Sequence, residues 1–359
     1  MKNKLMITAV FFLVFNVFGQ KHVSGIISKD TRWNADDGPF IIDNDIVITR
    51  GIRLTITPGT LIFINRPQKP DSAVRQIDGI DSGCISIRVE GILECIGKPE
   101  KRIIFTPSKS QTDQYCWYGI VFNHSSDQYT EVSFTDISGA YTGISVKNCS
   151  PVIRNTLLEY NHIGINCEIN GSSKIINCVI ARNFATGIKA SESNPYFLNN
   201  LIVFNYNLGI WCDGISKIRL EYNCFFGNGD GNFLDCDPEF GLLSKVNKNK
   251  DSTDFAFNLF RDPVLAGSIS DSLATEHDFN LPTDRSKIRD TSIAKVIYDS
   301  LKDSSAAQIR NFPKNKYALS RYSPCRNAGN PTDQYKDTDG SRNDIGISGG
   351  PEFLAAKKH

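Results

Sequence analysis

The sequence predicts an all-β fold, a solenoid of stacked coils wound from short strands. Three observations predict it. The dipeptide Gly-Ile recurs at 119–120, 143–144, 164–165, 187–188 and 209–210, with gaps of 24, 21, 23 and 22 residues, and a period of that size marks a repeat architecture. Asparagines recur in pairs within the repeat: Asn155 and Asn161, Asn177 and Asn183, Asn199 and Asn205, Asn223 and Asn228, six residues apart in the first three units and five in the fourth. Between them, runs of Ile, Val, Leu, Phe and Cys alternate with polar residues at strand period. No apolar spacing of helix length occurs between 119 and 230.

A unit of about 22 residues, such as GINCEINGSSKIINCVIARNFAT from Gly164, cannot bury its apolar face alone. Stacking units at the parallel-strand spacing of roughly 4.8 Å buries it. The asparagines then have a role, because an inward carboxamide can donate to one neighbouring coil and accept from the other. That ladder is expected of the first asparagine in each pair; the plainer alternative is that these are turn asparagines.

Along the chain, Lys2 and Lys4 precede the apolar run LMITAVFFLVFNVF at 5–18, the make-up of a signal peptide ending near residue 20. The run is short for a membrane crossing, and no later segment is apolar enough to span, so no transmembrane segment is expected after cleavage. Residues 21–50 form an opening cap and 51–107 the first coils, with 66–83 extruded as a loop. Coils continue through 265. Residues 266–322 break the period; TSIAKVIYDSLKDSSAAQIRNF (291–312) has helical character. It is read as an insertion that caps the solenoid's open end, which shields an exposed sheet edge; a partner-binding helix is the alternative. Residues 323–353 close the coil.

With these units in view, the chain resembles the right-handed parallel β-helix proteins of the pectate-lyase-like superfamily. The resemblance is carried by the Gly-Ile and asparagine positions from Gly119 to Asp237, by GIRLTITPGTLIFI (51–64) upstream and by SPCRNAGNP (323–331) and DTDGSRNDIGISGGP (337–351) downstream. It implies a single-stranded right-handed parallel β-helix, to which the residues at 266–322 add a helix-containing C-terminal insertion. It does not assign an activity, since one fold hosts lyases, hydrolases, epimerases and inactive members.

The repeat also sets side-chain direction. Ile144, Ile165, Ile188 and Ile210 face the core, and so, two residues on, do Val146, Cys167, Ala190 and Cys212. The residues between face out: Ser145, Asn166, Lys189 and Trp211 in one row, Lys147, Glu168, Ser191 and Asp213 in the next. In the resembled lyases and hydrolases this strand face lines the polysaccharide cleft. Trp211 can stack on a sugar ring. Lys189 can meet a uronate carboxylate or abstract a proton, and Glu168 and Asp213 can hold Ca²⁺. Polar residues on a solvated strand face are also what any such coil displays. Asp337, Asp339 and Asp344 resemble a truncated calcium loop without its terminal glutamate; closing a tight turn is the simpler role. No motif requires a cofactor, with Ca²⁺ an accessory.

Net charge is +1, from 40 basic and 39 acidic residues, so nothing recruits nucleic acid or an anionic membrane. The five histidines do not share a repeat position, His162 reading as a corner residue, and no Ser/His/Asp set emerges. Of ten cysteines, Cys167, Cys178, Cys212 and Cys224 read as core fillers. Cys212 and Cys236 lie one coil apart, but parallel inward Cβ vectors make a poor disulfide. No CxxC pair supports zinc. Two functions stay open: an exported or cell-envelope protein that binds polysaccharide or surface glycan on the Gly-Ile face, with lyase-type activity as an extension, or a structural or adhesive envelope protein with no carbohydrate site.

Overall fold

The computed structural model describes residues 19–65, 84–108, 117–125, 129–266 and 317–351. The Gly-Ile strands Trp117–Asn123, Thr142–Lys147, Ile163–Glu168, Thr186–Ser191 and Leu208–Cys212 lie side by side and parallel. Ile85–Val89 precedes them in the sheet and Gly231–Leu234 follows. Their register sets Ile87, Ile120, Ile144, Ile165, Ile188 and Ile210 opposite one another, with Phe233 next. All six isoleucines are buried, as are Phe122, Val146, Cys167, Ala190 and Cys212 beside them. Each fully buried isoleucine contributes about 1.5–3 kcal/mol. Burial pushes the Cys167 and Cys178 thiols up to about 12, so these cysteines act as protonated, apolar fillers.

Two further faces complete each coil. An eight-stranded parallel sheet runs from Thr31–Trp33 to Arg219–Glu221 and turns Val132, Ile153, Ile175, Phe197 and Leu220 inward. The third face runs from Leu61–Ile64 to Cys224–Phe226, with Phe105, Ile137, Leu158, Ile180, Ile202 and Phe225 inward. The long strand Phe40–Ile48 pairs at its start with the third face and at its end with the Gly-Ile face, which links the two into one sheet. The inward columns of all three faces pack as one continuous core.

The repeated glycine has a steric reason. A Cβ on Gly164 would stand 2.5 Å from the Gly187 carbonyl oxygen and 2.9 Å from the Asn183 carboxamide nitrogen. On Gly187 it would stand 2.7 Å from the Asn205 nitrogen. The next coil and an asparagine already fill that space.

Those asparagines correct the expected ladder. It is built from the second residue of each pair, not the first. Asn183 Nδ2 donates to Asn205 Oδ1 at 2.9 Å, Asn205 to Asn228 at 3.0 Å and Asn228 to Asn232 at 3.0 Å. The backbone N–H of Asn161 donates to Asn183 Oδ1 at 3.1 Å. Asn155, Asn177 and Asn199 instead occupy bends, at φ of 46°, 52° and 58°, a left-handed conformation that asparagine tolerates. Asn223 is one residue out of step: Tyr222, at φ 54°, holds the bend. Asn223 joins a second ladder, accepting from Asn200 at 2.9 Å and donating to Asn258 at 3.0 Å. The five-residue gap of the fourth pair is the trace of this shift.

The bend asparagines reach outward to a strap, residues 317–351. Asn155 Nδ2 donates to the carbonyls of Ile347 (3.0 Å) and Gly349 (2.9 Å). Asn177 Nδ2 donates to Asn343 Oδ1 and to the carbonyls of Asp344 and Gly346, and Asn199 Oδ1 accepts the Asn330 N–H at 2.8 Å. The segment expected to close the last coil therefore lies along the flank, across three coils. Beneath it Val179, Leu201, Val203 and Cys224 from the third face form a second apolar cluster with Tyr317, Leu319, Cys325, Ala328 and Ile345.

The C-terminal end of the main core is covered by rings. Phe225 lies 4.8 Å from Phe233 and 5.7 Å from Phe260, and Phe233 lies 5.8 Å from Phe240. The helix expected as the cap falls within 267–316, outside the described residues, as does the loop at 66–83. The chain departs and returns at one point, since Leu265 bridges Leu319 antiparallel.

Candidate functional site

The outward row of the Gly-Ile face stands in the expected register. Val121, Ser145, Asn166, Lys189, Trp211 and Leu234 are successive partners. Their exposure is graded. Ser145 and Asn166 are 3% and 7% exposed, Lys189 and Trp211 are half-buried, and Leu234 is 45% exposed. The solvent-facing assignment thus holds at Lys189 and Trp211 and fails at Ser145 and Asn166, which are buried; the Asn166 Oδ1 has no hydrogen-bond partner among the described residues. Asn166 does not belong to the open surface.

Lys189 Nζ sits 5.4 Å from the centre of the Trp211 ring, within cation–π range. The register places Leu234 on the other side of Trp211. Two residues on, Lys147, Glu168 and Ser191 are partners in register and half-buried, with Lys147 and Glu168 forming a pair of opposite charge across neighbouring strands.

Asp213 ends that second row and is already engaged. One oxygen accepts the Glu192 N–H at 2.6 Å; the other accepts those of Ile215 at 3.1 Å and Ser216 at 2.8 Å. Partial burial acts to raise its carboxyl, but these amides outweigh it and hold it well below the usual carboxylate range. Asp213 therefore organises a turn, with little capacity left for an ion or a proton. That turn borders a concavity of ≈570 Å³ lined by Asp213, Ile215, Ser216, Lys217, Asp235, Cys236 and Asp237. Cys212 and Cys236 are free thiols in hydrogen-bond contact, and that contact together with burial pushes Cys212 far up.

Asp337, Asp339 and Asp344 lie in the strap, remote in sequence from the Gly-Ile face. Asp337 accepts the N–H groups of Asp344 (3.1 Å) and Gly350 (2.6 Å), Asp344 that of Asn327 (2.6 Å) and Asp339 that of Ser341 (2.9 Å). Among the described residues no group of three or more His, Cys, Asp or Glu is arranged to hold a metal ion. The three aspartates close turns, and the calcium-loop alternative finds no ligand cage there. Burial, with repulsion from Asp344 and Asp339, pushes Asp337 up to about 6 despite its amide donors.

Two aromatic features escaped the sequence reading. Tyr118, at the start of the first Gly-Ile strand, stacks with Tyr141 and Tyr141 with His162, at 5.9 and 4.9 Å; the latter two sit at the corner before their strands, where burial lowers the His162 imidazole. Tyr141 and His162 each precede their glycine by two residues, so the repeat alignment held that signal. On the flank, Lys245, Phe257, Tyr222 and Arg342 form a column spaced 4.7, 5.3 and 5.7 Å. Its members come from a hairpin, a bend and the strap, and no periodicity links them.

The family described as "Right handed beta helix region" matches residues 105–239, and the chain is a right-handed parallel β-solenoid with activity unassigned. The comparison with curated proteins returns no match. Among solved structures, the crystal structure of pectate lyase Pel9A is similar at 14% identity, over 84% of this chain and 88% of that one, with a TM-score of 0.34. A likeness of that size assigns no activity and no residue role here. Among the described residues no helix is long and apolar enough to cross a membrane.

Proposed function

We propose that this chain binds a polysaccharide or surface glycan on the C-terminal part of its Gly-Ile face, and that it is exported to the cell envelope or beyond by its N-terminal segment. The observation that carries the reading is the Lys189–Trp211 pair, 5.4 Å apart in a half-open row beside a ≈570 Å³ concavity. Trp211 and Leu234 supply an apolar strip; Lys189, Lys217 and the carboxylates around the concavity supply polar partners. A sugar chain presents both kinds of surface, with C–H faces and a rim of hydroxyls, and half-buried aromatic side chains are suited to it. The engaged state of Asp213 favours binding over a lyase step.

A glycan-array screen of the chain lacking residues 1–20 tests this, with Trp211→Ala as control. The expected result is binding to at least one glycan class, weakened roughly tenfold or more by the substitution, as for an anchoring aromatic. No bound glycan, or binding indifferent to Trp211→Ala, overturns it. The second reading, a structural or adhesive envelope protein without a carbohydrate site, draws on the burial of Ser145 and Asn166, which closes the N-terminal half of the same face. Fractionation of cells producing the full chain tests export; retention in the cytoplasm would contradict it.

A further inference from the structure

We propose that Cys224 and Cys325 are the site of a disulfide that fastens the strap to the solenoid. Cys224 opens the strand Cys224–Phe226. Its neighbour Phe225 faces the main core, so strand alternation turns Cys224 outward, onto the flank that the strap covers. Cys325 reaches it from the strap. Both are fully buried in the flank cluster, and both are free thiols in the structure, hydrogen-bonded to each other. The surroundings fix both partners. Cys224 Sγ donates to the Arg261 carbonyl at 3.4 Å. Ser323 Oγ accepts the Cys325 N–H at 3.2 Å and donates to the Pro263 carbonyl, and the Cys325 carbonyl accepts the Ile345 N–H at 2.9 Å.

The approach differs from that of Cys212 and Cys236, which come from successive coils. Here a strand and a strap meet face to face, which gives the converging side-chain directions a disulfide requires. The bond would close a loop of about 100 residues, long enough for a large effect in the chain-entropy account.

Bond formation needs a disulfide donor such as oxidised glutathione or a disulfide-bearing oxidoreductase. One cysteine thiolate attacks the donor and releases one reduced thiol. The other thiolate then displaces the second, so two electrons pass to the donor and two protons leave the cysteines. Because the folded pair is sealed from solvent, the donor reacts with one cysteine before the strap docks, and docking brings the second thiolate to that mixed disulfide.

The test uses the full chain produced in an oxidising compartment. It is denatured without reductant, alkylated and digested, and its peptides are mapped by mass spectrometry. The expected result is a linked peptide pair carrying Cys224 and Cys325 in most molecules. Limited proteolysis within the strap should also be about tenfold slower without reductant than after reduction. Recovery of both cysteines alkylated in most molecules, or of either linked to a different cysteine, overturns the proposal. Mapping the unsubstituted chain removes any dependence on whether Cys325→Ser folds.

Discussion

The interior of the solenoid and its strapped flank are both apolar and both sealed, yet they are assembled differently. Inside, each side chain meets its equivalent from the coil before and the coil after, as Ile144, Ile165, Ile188 and Ile210 do. On the flank, Val179, Leu201 and Cys224 meet Cys325, Ala328 and Ile345, more than a hundred residues away in sequence. The asparagines divide the same way. Asn183 and Asn205 bond to their own kind inside the wall, whereas Asn155, Asn177 and Asn199 bond to the strap outside it. Nearest-neighbour stacking makes the interior one cooperative array; the strap is a separate layer that can open by itself.

The largest effect should follow from breaking the inner ladder. Asn183→Ala removes the acceptor of the Asn161 N–H and the donor to Leu158 and Asn205. It should cost about 3 kcal/mol through buried groups left unpaired, read as a lower urea midpoint. Asn177→Gly makes the matching change on the flank, keeping the positive-φ bend while deleting its bonds to Asn343, Asp344 and Gly346. It should ease strap opening by about 1–2 kcal/mol, measured by hydrogen exchange at Gly346, with the global midpoint nearly unmoved. An equal loss of global stability from both substitutions would erase the distinction.

Acidity should sharpen it further. Asp337 has a folded pKa of about 6, above its ordinary 3.8, and Asp344 is raised by burial as well. A raised carboxyl favours the docked strap while protonated. Its contribution is full below about pH 4 and is lost as pH rises through about 6. Strap opening, corrected for intrinsic exchange, should therefore be rarer at pH 4 than at pH 7, and Asp337→Asn should flatten that difference. Asp339, fully exposed at the same turn, should give the smallest effect: Asp339→Asn removes only a minor repulsion on Asp337 and should change strap protection least.

The same division explains what could be read in advance. Period-two alternation after each Gly-Ile is local, so the inward columns and their register were legible, as was the place of Lys189 beside Trp211. The ladder was assigned to the wrong member in the first three pairs, while Asn223 of the fourth does stand in one, because spacing shows which asparagines repeat, not which way a bend turns them; the odd gap at Asn223 was the available clue. Exposure was not legible. Ser145 and Asn166 occupy the same row as Trp211 and are nevertheless buried, and no alternation pattern reports what covers a sheet from outside. The strap, the Cys224–Cys325 contact and the Lys245–Arg342 column all depend on pairings between distant segments, which leave no period behind.

Native-state hydrogen exchange across a denaturant series tests the central distinction most directly. The amides of Asn161, Asn183 and Asn205, each bonded to the next asparagine, should exchange only through global unfolding and share one opening free energy. Those of Asn330, Gly346 and Gly349, bonded in or through the strap, should exchange by a cheaper opening that leaves the coils protected. Coil amides exchanging at the strap's opening energy, or both sets opening together, would contradict a cooperative solenoid carrying an independently docked strap.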